Sequence, residues 1–359
     1  MSPTKVIDTF RPSPEGLRRM RLGTLLAPPP ASARPYFTTA DWHWTSIPAS
    51  PVIDPASATM IGQMANGADA NVVLTNYEYG TPIYHIRDGD PAPPTYTLLP
   101  DYASDGPATS HTGGSTPNYG ANPFAAVNPV PIPDAACHAA PAYATDPSTD
   151  AHLCVVDHRA GQRRVYALWK ARKLSGVWRC FWGGVASLDG VGNGDGSTGA
   201  GLSRLAGVVL TSDTDPGGTD LGHTLVGASA FTRATSSTDF RFPASKTDGL
   251  SNNAGGIPEG ARLQLDPTLD VSGWPVGQQR ILRTLQRFGL IVMDKSTDAT
   301  LNIGMQANDP GVSGSPPNVA SDPRTTVYGP RGYRSPTGFD AILSFPWASL
   351  RVLRQWDGG

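Results

Sequence analysis

Residues 152–183 read HLCVVDHRAGQRRVYALWKARKLSGVWRCFWG, and this stretch decides the fold class. Three segments within it, residues 152–158, 164–171 and 176–183, have the length of strands and are rich in aromatic and β-branched side chains. Turn residues separate these segments. Because short runs of this kind between turns are typical of consecutive antiparallel strands, the stretch predicts a three-strand meander.

Strand-like segments continue toward the C-terminus, interrupted by one long helix. Residues 275–288 predict this helix, because apolar side chains recur on one face and Gly289 can end it. Strands do not alternate with helices of about 10–15 residues, so a βαβ fold is not expected. The sequence therefore predicts a mainly β fold, an antiparallel β-sandwich or jelly roll with one notable helix.

The first 135 residues are irregular and rich in proline, which occurs there in several short clusters. Residues 55–66 predict a short helix, and residues 71–79 and 82–87 predict the two strands of a hairpin. We therefore divide the chain into a Pro/Gly-rich attachment region, residues 1–135, and a β-sandwich or jelly-roll domain, residues 136–359.

Composition and charge exclude several classes of protein. With 28 basic and 30 acidic side chains the net charge is −2, so phosphate-neutralising cations are not in excess and nucleic acid is not an expected partner. No run approaches the roughly 18–20 apolar residues of a membrane span. Residues 1–16 lack the apolar core of a secretory signal, so we expect synthesis in the cytoplasm. Cys137, Cys154 and Cys180 leave an odd thiol, and whether two of them pair is open.

The sequence lacks the motifs GxxxxGK[ST], HExxH, CxxC and GxSxG of common enzyme classes. Carboxylates on neighbouring strands can nevertheless act as acid and base in glycoside hydrolysis, and a histidine can abstract a proton in a lyase reaction. The candidate catalytic residues are Asp157, His158, Asp220, His223 and Glu259, with Lys246 and Asp248 close to Glu259 in sequence. Alternatively, these aspartates are turn or strand-end residues that bond to their own backbone.

Four aromatic residues lie on adjacent predicted strands and are candidates for carbohydrate binding, because a flat apolar ring fits the C–H face of a pyranose. They are Tyr166, Trp169, Trp178 and Trp182. The alternative is that the same rings fill the core of the sandwich, where aromatic side chains bury a large area.

Residues 189–201, DGVGNGDGSTGAG, form the most unusual local feature. Asp189, Asn193 and Asp195 place oxygen atoms among glycines, as a calcium-binding loop does. Val191 stands where that pattern needs an oxygen ligand, and no glutamate follows at the expected distance. The alternative is a plain loop whose glycines supply turns with positive φ. Apart from this calcium candidate, the sequence indicates no cofactor.

Four segments resemble a family of largely uncharacterised proteins of actinobacteria and related organisms. They are residues 122–136 (NPFAAVNPVPIPDAA), 150–171, 183–209 and above all 257–296 (IPEGARLQLDPTLDVSGWPVGQQRILRTLQRFGLIVMDKS). Similar modules are found in minor tail proteins of phages that infect actinobacteria. Family members tend to have a glutamate upstream of the histidine matched by His223, whereas this chain has Asp213, Asp215 and Asp220 there.

The resemblance implies a structural and recognition protein, a phage minor tail protein whose β-sandwich contacts cell-surface or cell-wall glycan. Its partners are then other virion subunits, in a homo-oligomer or another symmetric assembly, and residues 1–135 order on those neighbours. Its location is the virion, with export by a non-classical route as the alternative. The alternative function is a glycan-cleaving enzyme, either a glycoside hydrolase or a polysaccharide lyase.

Overall fold

The computed structural model describes residues 36–38, 42–67, 71–100, 122–139, 150–194, 196–297, 299–308, 322–334 and 340–354. These residues form a mainly β fold, as predicted, with the α-helices α1 (Ser57–Ala65) and α2 (Val276–Arg287). The strands are β1 (Val72–Thr75), β2 (Ile83–Ile86), β3 (Thr95–Tyr96), β4 (Val130–Pro131), β5 (Leu153–Asp157), β6 (Arg164–Trp169), β7 (Arg172–Leu174), β8 (Val177–Arg179), β9 (Trp182–Ser187), β10 (Leu225–Ser229), β11 (Thr232–Arg233), β12 (Ile257–Pro258), β13 (Arg262–Leu265), β14 (Leu290–Lys295), β15 (Leu301–Gly304), β16 (Ala341–Ile342) and β17 (Leu350–Val352).

The first four-stranded sheet has the order β2-β5-β6-β9 and contains the predicted meander. Its strands β5, β6 and β9 are antiparallel neighbours, and β2 joins β5 in parallel. The third strand of the meander begins at Trp182, so its prediction at residues 176–183 is wrong. The reason is that β7 and β8 form a separate hairpin, whose turn has positive φ at Ser175 and Gly176.

The second four-stranded sheet has the order β10-β14-β13-β17 and faces the first. Val226, Ile291 and Met293 from this sheet share one apolar core with Val156 and Val165 of the first sheet. Side chains on its opposite face pack against α2 through a second core. The result is a helix, a sheet and a second sheet in successive layers, each joined to the next by buried apolar side chains.

Helix α2 lies where the sequence predicts it, and its C-terminal end is held by two features. Gly289, at φ +75°, ends the helix and donates its N–H to Thr284 O at 3.0 Å. The buried guanidinium of Arg262 on β13 donates to Phe288 O and to Thr45 O. The helix end is therefore tied both to the sheet below it and to the segment around Thr45.

Strands β1 and β2 occur at the predicted residues but do not form the predicted hairpin. Strand β1 lies in a third sheet, of order β15-β1-β16, and β2 lies in the first. Between them the N–H of Thr81 donates to Met305 O, so the chain passes from one sheet to the next instead of folding back. Strands from the first 135 residues therefore complete sheets built by later residues.

Four strand pairs are parallel, namely β1 with β15, β2 with β5, β10 with β14 and β11 with β12. The antiparallel prediction thus describes only part of the strand pairing. Within the described residues no helix is long and apolar enough to cross a membrane. None of Cys137, Cys154 and Cys180 forms a disulfide bond, and the last two are buried.

Candidate functional site

Three carboxylates from separate parts of the chain meet near the C-terminal end of β14, an inner strand of the second sheet. Asp294 lies on β14, Glu259 follows β12, and Asp248 belongs to the loop before it. One oxygen of each carboxylate lies within 4.8 Å of one oxygen of each of the others. We call Asp248, Glu259 and Asp294 the carboxylate cluster.

Backbone hydrogen bonds position the cluster. The N–H of Gly260 donates to Val292 O on β14, which places Glu259 beside Asp294. The N–H of Asp248 donates to Glu259 Oε2 at 3.0 Å. The Glu259 side chain therefore holds the loop that contains Asp248 in place.

Glu259 is the buried member of the cluster, with no exposed surface. Burial and the charge of Asp248 raise the pKa of Glu259 well above its usual range. Its oxygen Oε1 makes no hydrogen bond with the described residues. This position therefore favours either a proton on the carboxyl group or a positive charge beside it.

Asp294 is less buried, with 24% of its side chain exposed. Burial, followed by the charge of Asp248, raises its pKa to about 7. Arg204 Nη1, 3.9 Å from Asp294 Oδ2, acts in the opposite direction. Asp294 can thus exchange a proton or accept a cation near neutral pH.

Arg204 connects the cluster to a second polar group. Its Nε donates to Thr81 Oγ1 at 3.1 Å. Its charge also acts on His152, whose pKa is lowered to about 4 by burial and by this charge. His152 in turn lies 3.5 Å from Asp150, which accepts a hydrogen bond from Trp169 Nε1. The charge of Arg204 therefore acts both on the cluster and on the His152–Asp150 pair that holds Trp169.

Of the four aromatic candidates, Trp169 and Trp182 are partly exposed, whereas Tyr166 and Trp178 are buried in the core on the other face of the first sheet. Trp169 and Trp182 are directly opposite on β6 and β9, which puts their side chains on the same face of the sheet. Lys170 Nζ lies 5.2 Å from the Trp169 ring centre and 5.0 Å from that of Phe181. We call Trp169 and Trp182 the tryptophan pair.

The candidate catalytic residues other than Glu259 have partners elsewhere. Both oxygens of the buried Asp157 accept hydrogen bonds from Arg159, and His158 Nε2 lies 2.9 Å from His85 Nδ1. Asp220 accepts from the N–H of Gly222 and pairs with an arginine of α2. These contacts match the turn and strand-end interpretation of the two aspartates.

His223 is fully buried. Its Nδ1 lies 2.8 Å from Thr224 O, and its Nε2 lies 3.3 Å from Asp213 Oδ2. Asp213 is thus the partner of His223 among the three aspartates upstream of it. The five candidate catalytic residues therefore do not meet in one cluster.

The glycine-rich run does not use its side-chain oxygens as one set. Asp189 pairs with Arg163 at 2.8 Å, and Asn193 donates to Pro243 O at 3.3 Å. Asp195 lies outside the described residues. The run contributes instead through Gly199, whose N–H donates to Asp294 Oδ1 at 3.2 Å. The glycine-rich run therefore covers the carboxylate cluster.

Comparisons of the chain with family models, with curated proteins and with solved structures found no match.

Sequence patterns indicate Glu259 and the neighbouring Asp248 but not Asp294, Arg204 or Asp150. A signal for Asp294 was present, because an acidic residue directly follows the apolar run of β14. A charge at the end of a buried strand indicates that the strand ends in a polar site. No comparable local signal marks Arg204.

Proposed function

We propose that the protein is a recognition component of a phage tail that binds cell-surface or cell-wall glycan through the tryptophan pair. The observation that carries this proposal is the position of Trp169 and Trp182, which are cross-strand neighbours and keep part of their rings exposed. Two flat apolar rings on one sheet face can stack on consecutive sugar rings.

Polar groups beside the pair support the same function. Asp150, whose side chain is 42% exposed, holds Trp169 by its indole N–H. Lys170 and Arg172 lie against the rings of Trp169 and Phe181. Lys170 and Arg172 are themselves buried, so they support the aromatic rings from within the fold. The exposed Asp150 can offer a charged hydrogen-bonding group to a sugar ring stacked on the tryptophans, and such a group fixes the orientation of a ligand.

Glycan cleavage has less support. Among the described residues Glu259 is the candidate catalytic carboxylate that lies next to two others. Asp157 is paired with Arg159, and the buried His223 lies against the buried Asp213.

The test is binding of the full chain to isolated actinobacterial cell walls and to purified arabinogalactan, with Trp169→Ala and Trp182→Ala as variants. Tyr79→Ala is the matched control, because Tyr79 is an aromatic residue that is 49% exposed elsewhere. We expect each tryptophan variant to bind about tenfold more weakly, equivalent to about 1.4 kcal/mol, and the control to bind as the wild type does. No binding by the wild type, or equal binding by all three variants, would refute the glycan proposal.

The assignment to a virion is tested separately. Mass spectrometry and antibody labelling of purified phage particles are expected to find the protein as a component with a fixed copy number. Its absence from such particles would overturn the virion assignment and leave the glycan test unaffected.

A further inference from the structure

The carboxylate cluster brings three negative charges together with little to balance them. Arg204 is 3.9 Å from Asp294 Oδ2 and balances one charge. Carboxylates this close repel each other unless a proton or a cation lies between them. The atoms available in the cluster are all oxygens, which are the ligands of hard divalent cations.

The cluster suits Ca²⁺ better than Mg²⁺. Its carboxylates come from a loop, from the residue after β12 and from β14, and one oxygen of each lies within 4.8 Å of the others. Ca²⁺ accepts about six to eight oxygen ligands in a flexible arrangement, whereas Mg²⁺ requires a nearly ideal octahedron. A small shift of the exposed Asp248 side chain can bring the three oxygens to one Ca²⁺ ion.

Glu259 provides a second, independent observation. It is fully buried, and Oε1 lacks a hydrogen-bond partner among the described residues, although Oε2 accepts from Asp248 N. A buried carboxylate oxygen without a partner is destabilising, because it has lost its hydrogen bonds to water. A cation within the cluster gives this oxygen the missing partner.

Gly199 leaves the space that such a cation needs. A Cβ at this position would lie 2.3 Å from Asp248 Oδ1 and 2.8 Å from Asp294 Oδ1. Any other residue would therefore push the two carboxylates apart. On the opposite side Asp248 is exposed, which allows the ion to enter and water to complete its coordination.

We propose that Asp248, Glu259 and Asp294 form a Ca²⁺ site that is covered by the glycine-rich run at Gly199. This site differs from the calcium site predicted at Asp189, Asn193 and Asp195. It does not depend on glycan recognition, because its test measures the metal alone.

The test is isothermal titration of the chelator-treated full chain with CaCl₂ and, separately, with MgCl₂, together with the change in melting temperature. We expect one Ca²⁺ per chain, a higher melting temperature with Ca²⁺, and a dissociation constant of about 10⁻⁵ to 10⁻³ M, the range of sites open to water. Loss of a supporting residue alone weakens metal sites about 10- to 100-fold. Glu259→Gln and Asp294→Asn are therefore expected to weaken binding at least about tenfold.

Asp189→Asn is the matched control, because Asp189 is a carboxylate of the same glycine-rich run whose partner is Arg163. It is expected to bind Ca²⁺ as the wild type does. If Glu259→Gln does not fold, the exposed Asp248→Asn takes its place.

Three results would each overturn the proposal. The first is no Ca²⁺ binding by the wild type, which would mean that the cluster holds only shared protons. The second is tighter binding of Mg²⁺ than of Ca²⁺. The third is loss of Ca²⁺ binding in Asp189→Asn together with its retention in Asp294→Asn.

Discussion

The buried Arg262 allows a direct test of how the helix is held on the sheet. Its side chain is 1% exposed and donates to Phe288 O at 2.7 Å, Thr45 O at 2.8 Å and Thr224 Oγ1 at 2.9 Å. The substitution Arg262→Met keeps most of the length of the side chain and removes all these donors. In this variant the hydroxyl of Thr224 can still donate to Phe288 O. The hydrogen bond to Thr45 O is therefore the one whose loss is least replaced.

Two effects oppose each other in this variant. Hydrogen bonds from a charged donor contribute about 1.5–3 kcal/mol each, and a cation at a helix C-terminus adds up to about 2 kcal/mol. The desolvation of a buried guanidinium costs several kcal/mol, which the methionine avoids. Because three acceptors from three segments use the one side chain, we expect the contacts to outweigh desolvation and the variant to lose about 2–4 kcal/mol of unfolding free energy.

The assay is urea denaturation followed by tryptophan fluorescence and by circular dichroism. Arg287→Met is the control, because Arg287 is 60% exposed and pairs with Asp220 at the surface. Its expected loss is at most about 1 kcal/mol. A loss in Arg262→Met no larger than in this control would show that desolvation cancels the contacts, and the reasoning would be refuted.

Three further variants test the packing and the pH dependence in the same assay. Burial and neighbouring positive charge lower the pKa of His85 to about 3. The unfolded chain therefore takes up a proton at His85 below about pH 6.5, whereas the folded chain does not, and stability falls toward acid pH. We expect His85→Gln to lose less stability than the wild type between about pH 7 and pH 4.5. Leu282→Ala removes a fully buried side chain of α2 and should cost about 2–5 kcal/mol. Gly183→Ala puts a Cβ 2.3 Å from Phe124 Cζ and 2.4 Å from Ala167 O and should cost about 1–3 kcal/mol or more through overpacking.

The parts of the fold that the sequence predicts are those with local causes. Helix α2 follows from an apolar stripe and from Gly289, which lie within a single segment of the chain. Strands β5 and β6 follow from their aromatic and β-branched composition and pair as chain neighbours. Such signals need no knowledge of distant residues.

Pairing between distant strands has no such signal. Strand β1 is a short apolar run, VVLT, that any buried strand could contain, yet it pairs with β15, more than two hundred residues away along the chain. The predicted hairpin between residues 71–79 and 82–87 was the nearest pairing that the pattern allowed. The actual choice depends on Thr81 and Met305, whose backbone hydrogen bond turns the chain into the next sheet.

The candidate site shows the same limit in its chemistry. Asp189 and Asn193 looked like ligands because they occur close together among glycines, but each is bound to a different partner. The sequence indicates Asp248 and Glu259 without Asp294, because only the pairing of β13 with β14 and the hydrogen bond from Asp248 N–H to Glu259 bring the three together. Gly199 belongs to the glycine-rich run that is unusual in the sequence. In the structure, the missing side chain of Gly199 leaves space for the carboxylates of Asp248 and Asp294.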